Sequence, residues 1–179
     1  MTQVAKIYGG SLYDLAQSEQ LEDRLLEELE AVCGLFDQQE DYLRLLSTPS
    51  IPKGERCGLI QEALGSQVHP YLINFLKILC ENGTLGQLKD CAKEFRRRYN
   101  LDRGILEAKA VTALALTPDQ QKALTRKLES ITGKTVYLDC RVEPDVLGGI
   151  RLEMDGVQLD GTVERRLADL KASIRQAVL

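Results

Sequence analysis

Leu101-Asp102-Arg103-Gly104-Ile105-Leu106-Glu107-Ala108-Lys109-Ala110-Val111-Thr112-Ala113 is the stretch where the chain changes period. Before it, from Thr2 to about Asn100, apolar residues recur every three or four positions, the spacing of helices that bury one face. From Ile105 to Ala113 the pattern loosens into alternation that includes Ile105, Val111 and Thr112, the mark of a strand. The expected fold class is therefore α+β overall. An N-terminal six-helix bundle, residues 1–103, precedes a small C-terminal α+β domain with a β-hairpin, residues 104–179.

Upstream of the break, Val4, Tyr8, Leu12 and Leu15 make one helix face, with Ile7 and Ala16 beside it. Between Gln20 and Asp37, Leu25, Leu29, Val32 and Phe36 form a stripe opposite Glu22, Asp23, Glu27, Glu28 and Glu30. A short Leu-rich turn, Tyr42 to Leu46, stops at Pro49. Pro52 and Pro70 each suit a first helical turn, and Asn82-Gly83 ends the helix that Pro70 begins. A sixth helix carries Leu85, Leu88, Ala92, Phe95 and Tyr99.

Downstream, Thr117-Pro118-Asp119-Gln120 has the makings of a capping box, opening a helix with Leu124, Leu128 and Ile131 inward until Gly133. Val136, Leu138, Cys140 and Val142 alternate with Thr135, Tyr137, Asp139 and Arg141, a half-buried strand. Ile150, Leu152 and Met154 form a second alternation. Asp155-Gly156 signals a hairpin into Val157-Gln158-Leu159. A last helix from Asp160 to Thr162 onward is expected to bury Val163, Leu167, Leu170 and Ile174.

Charge excludes some functions. Residues 1–103 hold 12 Lys and Arg against 16 Asp and Glu, and residues 104–179 hold 11 of each. A protein that grips phosphates runs the other way. The one basic cluster, Lys93-Glu94-Phe95-Arg96-Arg97-Arg98, is expected at a helix end, complementing its dipole. The alternative is an RNA-binding helical-bundle factor using Arg96, Arg97, Arg98 and Arg103.

Five cysteines (Cys33, Cys57, Cys80, Cys91, Cys140) are odd in number and never form a CxxC pair, pointing to buried thiols rather than disulfides or zinc. The first apolar residues are interrupted by Gln3, Lys6 and Ser11, unlike a signal peptide, and no apolar run approaches a membrane span. Any membrane association is expected to run through a partner. His69 alone makes no metal cluster, and a rival enzyme reading would rest on His69 or Cys80. Gly9-Gly10-Ser11 lacks the spacing of a phosphate loop, and Gly148-Gly149 lies between strand residues. No catalytic, cofactor or metal constellation is expected.

One helix carries surplus apolar surface. Within Tyr71 to Cys80, Leu72, Leu76 and Leu79 supply a core stripe, while Tyr71, Phe75 and Ile78 supply a second. Such a helix is either central in its bundle or offers a groove to a partner helix. Ala5 and Gly9, small and beside Tyr8, would let a guest peptide come close.

Five segments in order carry a resemblance. Val4-Ala5-Lys6-Ile7-Tyr8-Gly9-Gly10-Ser11-Leu12-Tyr13-Asp14-Leu15-Ala16 resembles the opening of ATP synthase delta subunits. Leu45-Leu46-Ser47-Thr48-Pro49-Ser50-Ile51-Pro52-Lys53 and Asn74-Phe75-Leu76-Lys77-Ile78-Leu79-Cys80-Glu81-Asn82-Gly83 resemble two later segments of that family. So do Val142-Glu143-Pro144-Asp145-Val146-Leu147-Gly148-Gly149-Ile150 and Val157-Gln158-Leu159-Asp160-Gly161-Thr162-Val163 with Arg166-Leu167. The departures are Thr84 for the usual Arg, Gly10 and Ser11 for small helix formers, Glu143 for Asp and Thr162 for Ser.

The resemblance, shared with the mitochondrial oligomycin sensitivity-conferring protein, implies a non-catalytic stator subunit without cofactor, nucleic acid or small-molecule substrate. It would be present once per complex, linking the catalytic head to the peripheral stalk so that proton-driven rotation is coupled to ATP synthesis. It implies that the helical domain binds the N-terminal segment of an alpha subunit and that the C-terminal domain binds the b-subunit stalk. The place would be peripheral, on the cytoplasmic face of a bacterial cell membrane. By analogy the alpha segment lies along the first and fifth helices, on Val4, Ala5, Tyr8, Leu12, Phe75, Ile78 and Leu79, Ile78 being the sharpest candidate.

Overall fold

A computed structural model describes residues 2–48, 50–143, 149–154 and 157–160. Pro49, Gly148, Asp155-Gly156 and the expected last helix with Val163, Leu167, Leu170 and Ile174 lie outside them. The architecture is mixed α+β and divides into two compact units, Met1–Tyr99 and Asn100–Leu179. Sequence reading places the boundary after residue 103; the division falls inside the last turn of the sixth helix.

The first unit contains α1 (Gln3–Ser18), α2 (Glu22–Gln38), α3 (Glu40–Ser47), α4 (Lys53–Leu64) and α5 (Pro70–Glu81). A 3-10 turn, Leu85–Gln87, leads into α6 (Leu88–Asp102). Leu25, Leu29, Val32 and Phe36 of α2 face the core, as their spacing requires. They meet Leu72, Leu76 and Leu79 of α5, Leu88, Cys91 and Phe95 of α6, and Ile60 and Leu64 of α4. The Tyr13 and Phe95 rings meet nearly at right angles, centroids 5.2 Å apart.

α1 turns a different face inward from the one expected. Ala5, Gly9, Leu12, Tyr13 and Ala16 are buried, whereas Ile7 and Leu15 are exposed. Glycine is the reason: a Cβ on Gly9 would stand 2.4 Å from the Cys91 carbonyl oxygen, so α1 lies backbone to backbone on α6 there. Gly9 therefore serves packing within the unit, not the approach of a guest peptide.

α5 has a well-defined start. His69 Nδ1 accepts from the Tyr71 N–H at 3.3 Å, Pro70 occupies the first turn, and Glu28 accepts from the His69 N–H at 2.6 Å. The lone histidine is a helix cap. At the other end Gly83 takes a left-handed φ of 67°.

The second unit builds β1 (Ile105–Thr112), α7 (Pro118–Thr132), β2 (Thr135–Val142), β3 (Ile150–Met154) and β4 (Val157–Asp160). The sheet order is β2-β1-β3-β4, with β1 and β2 parallel across α7 and the other pairs antiparallel. The expected capping box forms: Thr117 Oγ1 accepts from the Gln120 N–H at 3.3 Å and Gln120 Oε1 from the Thr117 N–H at 2.9 Å. Leu106, Ala108, Leu128 and Val136 make a small buried cluster, with Leu124, Leu138, Leu152 and Met154 against it. Ile131, expected inward, is 71% exposed. One turn beyond Leu128 the inward place belongs to Thr132, whose hydroxyl donates to the Leu128 carbonyl.

The thiols are all free. Cys80 and Cys91 are buried as expected, but Cys33, Cys57 and Cys140 are only half-buried, at the rims of their apolar faces.

Candidate partner-binding site

The seven candidate residues separate into a buried set and an accessible set. Ala5, Leu12, Phe75 and Leu79 lie in the core and offer almost no surface. Val4 and Tyr8 on α1 are half-buried, and Ile78 on α5 is 45% exposed. The Tyr8 hydroxyl accepts from Asn82 Nδ2 at 3.1 Å, fastening α1 to the C-terminal end of α5. The second apolar stripe of α5 thus parts: Phe75 completes the core, Tyr71 is half-buried, and Ile78 points to solvent. Ile7, 59% exposed, joins the accessible apolar surface of α1, although its spacing had put it beside the core stripe. Asn82 was legible only as a helix stop; its bond to Tyr8 spans 74 residues of sequence and leaves no local signal.

Ile78 is the large apolar side chain that α5 leaves accessible, on a face shared with Pro70, Asn74 and Glu81. Among the described residues no three His, Cys, Asp or Glu side chains are grouped to hold a metal. Burial pushes the Cys33 and Cys91 thiols up to about 11, far from the thiolate a nucleophile needs.

The basic cluster is not a helix end, since α6 continues to Asp102 beyond it. Its charges are paired within the unit. Lys93 meets Asp90 at 3.2 Å, Arg96 meets Glu30, Arg97 meets Glu94 at 2.8 Å, and Arg98 bridges Asp14 at 2.7 Å and Glu94 at 3.2 Å. The hydrogen bonds from Arg97, and then Arg98, hold the buried Glu94 carboxyl below its usual range despite burial. An RNA-binding reading finds no support in arginines so engaged. No helix among the described residues is long and apolar enough to cross a membrane.

These features describe a class of fold, a two-unit α+β protein whose helical unit leaves Ile78 accessible. Comparison with known proteins gives the family. The family model for the ATP synthase delta (OSCP) subunit matches residues 4–174. The ATP synthase subunit delta of Lacticaseibacillus paracasei is 31% identical over 172 residues, covering 96% of this chain and 94% of that one. That of Rhizobium rhizogenes is 30% identical over 174 residues, covering 97% and 93%. That of Clostridioides difficile is 26% identical over 176 residues, covering 98% and 97%.

A chain in the cryo-EM structure of the Toxoplasma gondii mitochondrial ATP synthase hexamer shares the fold. The TM-score is 0.74 at 17% identity, covering 97% of this chain and 98% of that one. The chain belongs to the ATP synthase delta (OSCP) family. It is a non-catalytic stator subunit that links the catalytic head of the synthase to its peripheral stalk.

Proposed function

We propose that the first unit is a six-helix bundle that receives the amphipathic N-terminal segment of an alpha subunit along α1 and α5. The second unit then holds the end of the b-subunit stalk, and the pair resists the torque of a proton-driven rotor. The complex carries the protein at the cytoplasmic face of the cell membrane. The observation that supports this reading is Ile78, a large apolar side chain left 45% exposed on the helix that otherwise supplies Leu72, Leu76 and Leu79 to the core. Val4 and Tyr8 extend its surface onto α1, while Ala5, Leu12, Phe75 and Leu79 hold the backbone beneath it.

The test is calorimetric titration of the full chain with a synthetic peptide from the N-terminus of its own organism's alpha subunit. Ile78→Asp is expected to weaken binding by about 2 kcal/mol or more, the scale of an interface hot spot. Its stability, measured by thermal unfolding, should change by no more than about 0.5 kcal/mol, as for a surface site. Undiminished binding by the variant would remove the site from α5.

A further inference from the structure

Among the described residues, the sheet of the second unit ends on a strand with a defined register. β2 is the terminal strand of the sheet. Hydrogen bonds at its two ends fix the parity: the Thr135 N–H donates to the Gly104 carbonyl at 3.0 Å, and the Glu143 N–H to the Thr112 carbonyl at 2.9 Å. Odd-numbered residues of β2 therefore direct their backbone groups toward β1, and Val136, Leu138 and Cys140 direct theirs outward. The first outward donor is already used, because Glu129 of α7 accepts from the Val136 N–H at 3.2 Å. Leu138 and Cys140 keep unpaired outward groups among the described residues, two successive rungs of a ladder.

Beside this edge, α7 and β2 enclose an open cleft of about 410 Å³. Lys122 and Arg126 line it with Gln121, Thr125 and Tyr137, and no carboxylate does. The two cations are exposed, one helical turn apart, and neither has an ion-pair partner among the described residues. Like charges at that spacing mildly destabilise a helix. Four helical residues advance about 6 Å, close to the roughly 6.6 Å between alternate residues of a strand. Tyr137, 62% exposed, offers an apolar ring at the same edge.

We propose that the β2 edge takes up an extended acidic segment of a partner chain as a fifth strand. Its backbone pairs with Leu138 and Cys140, and carboxylates at alternate positions reach Lys122 and Arg126. Main-chain pairing supplies the grip and the charge pattern selects the guest.

The isotopically labelled full chain is titrated with a capped seven-residue peptide that alternates Glu and Val, and backbone amide signals are followed. Saturable shifts centred on the Leu138 and Cys140 amides are expected. The double variant Lys122→Glu, Arg126→Glu should bind about tenfold more weakly, and a peptide with Lys in place of Glu should not bind. No shift at millimolar peptide, shifts that spare Leu138 and Cys140, or undiminished affinity of the double variant would overturn the proposal. Phosphatidylglycerol vesicles or poly-uridine RNA moving the same amides more strongly would overturn the peptide guest. None of these failures bears on the α1 and α5 surface, which lies on the other unit.

Discussion

The first unit has one core in which Leu25, Leu29, Leu72, Leu76 and Phe95 have no exposed surface. In the second, the buried apolar cluster among the described residues is Leu106, Ala108, Leu128 and Val136, and large apolar side chains such as Leu114 and Ile131 stay in solvent. The first unit buries the apolar residues of α5 from Leu72 to Cys80 except Ile78. The described part of the second is fastened by local polar contacts, the Thr117 capping box and the Glu129 bond to β2. Packing defects are therefore expected to cost most in the first unit.

The largest effect should come from Gly9→Val. Its Cβ meets the α6 backbone, which cannot move aside like a side chain, and a loss of about 4 kcal/mol is expected. Thermal unfolding checks the size, and amide spectra check that signals from Leu106 and Val136 survive when those around Gly9 collapse. Equal loss from both units would break the comparison.

Next come matched truncations. Leu29→Ala is expected to cost about 3–4 kcal/mol, because a fully enclosed site cannot close over the void. Leu128→Ala should cost about 2 kcal/mol, since the edge of a thin layer can settle. Chemical denaturation of each variant measures the difference, and a reversed order would show that the small cluster is the more rigid.

Legibility followed how local the cause was. The α2 stripe, the Thr117-Gln120 box and the alternation of β2 are written within a few residues of one another, and each formed as read except at the end of β2, where Val142 is exposed. The inward face of α1 was not legible from period, because glycine has no hydropathy to mark it as a contact residue. Gly9 is buried by what α6 brings to it. The arginine cluster misled for a related reason: the carboxylates that occupy it include Asp14 and Glu30, far away in sequence. For the candidate site, Ile78 was visible as surplus to a stripe. Leu79 already belonged to the core stripe, whereas burial of Ala5 and Phe75 required the packed helices.

The smallest effect is in the ion pairs. Glu94 titrates below its usual 4.5 in the folded chain, so its contribution is complete above that ordinary value and drains away as pH falls through the lowered one. Glu94→Gln should cost about 1 kcal/mol at neutral pH, the difference between charged and neutral hydrogen bonds. It should also flatten the acid side of a plot of Tm against pH. A plot unchanged in shape would assign the acid sensitivity to other carboxylates.

Glu129 has a further consequence for the newly made subunit. Before assembly, an eight-residue strand edge is a template on which identical copies can stack and precipitate. By occupying the first outward N–H of β2, this one carboxylate shortens that template from the end where α7 and the strand meet. The same side chain that fastens helix to sheet thereby leaves one fewer free backbone donor for a second copy to pair with.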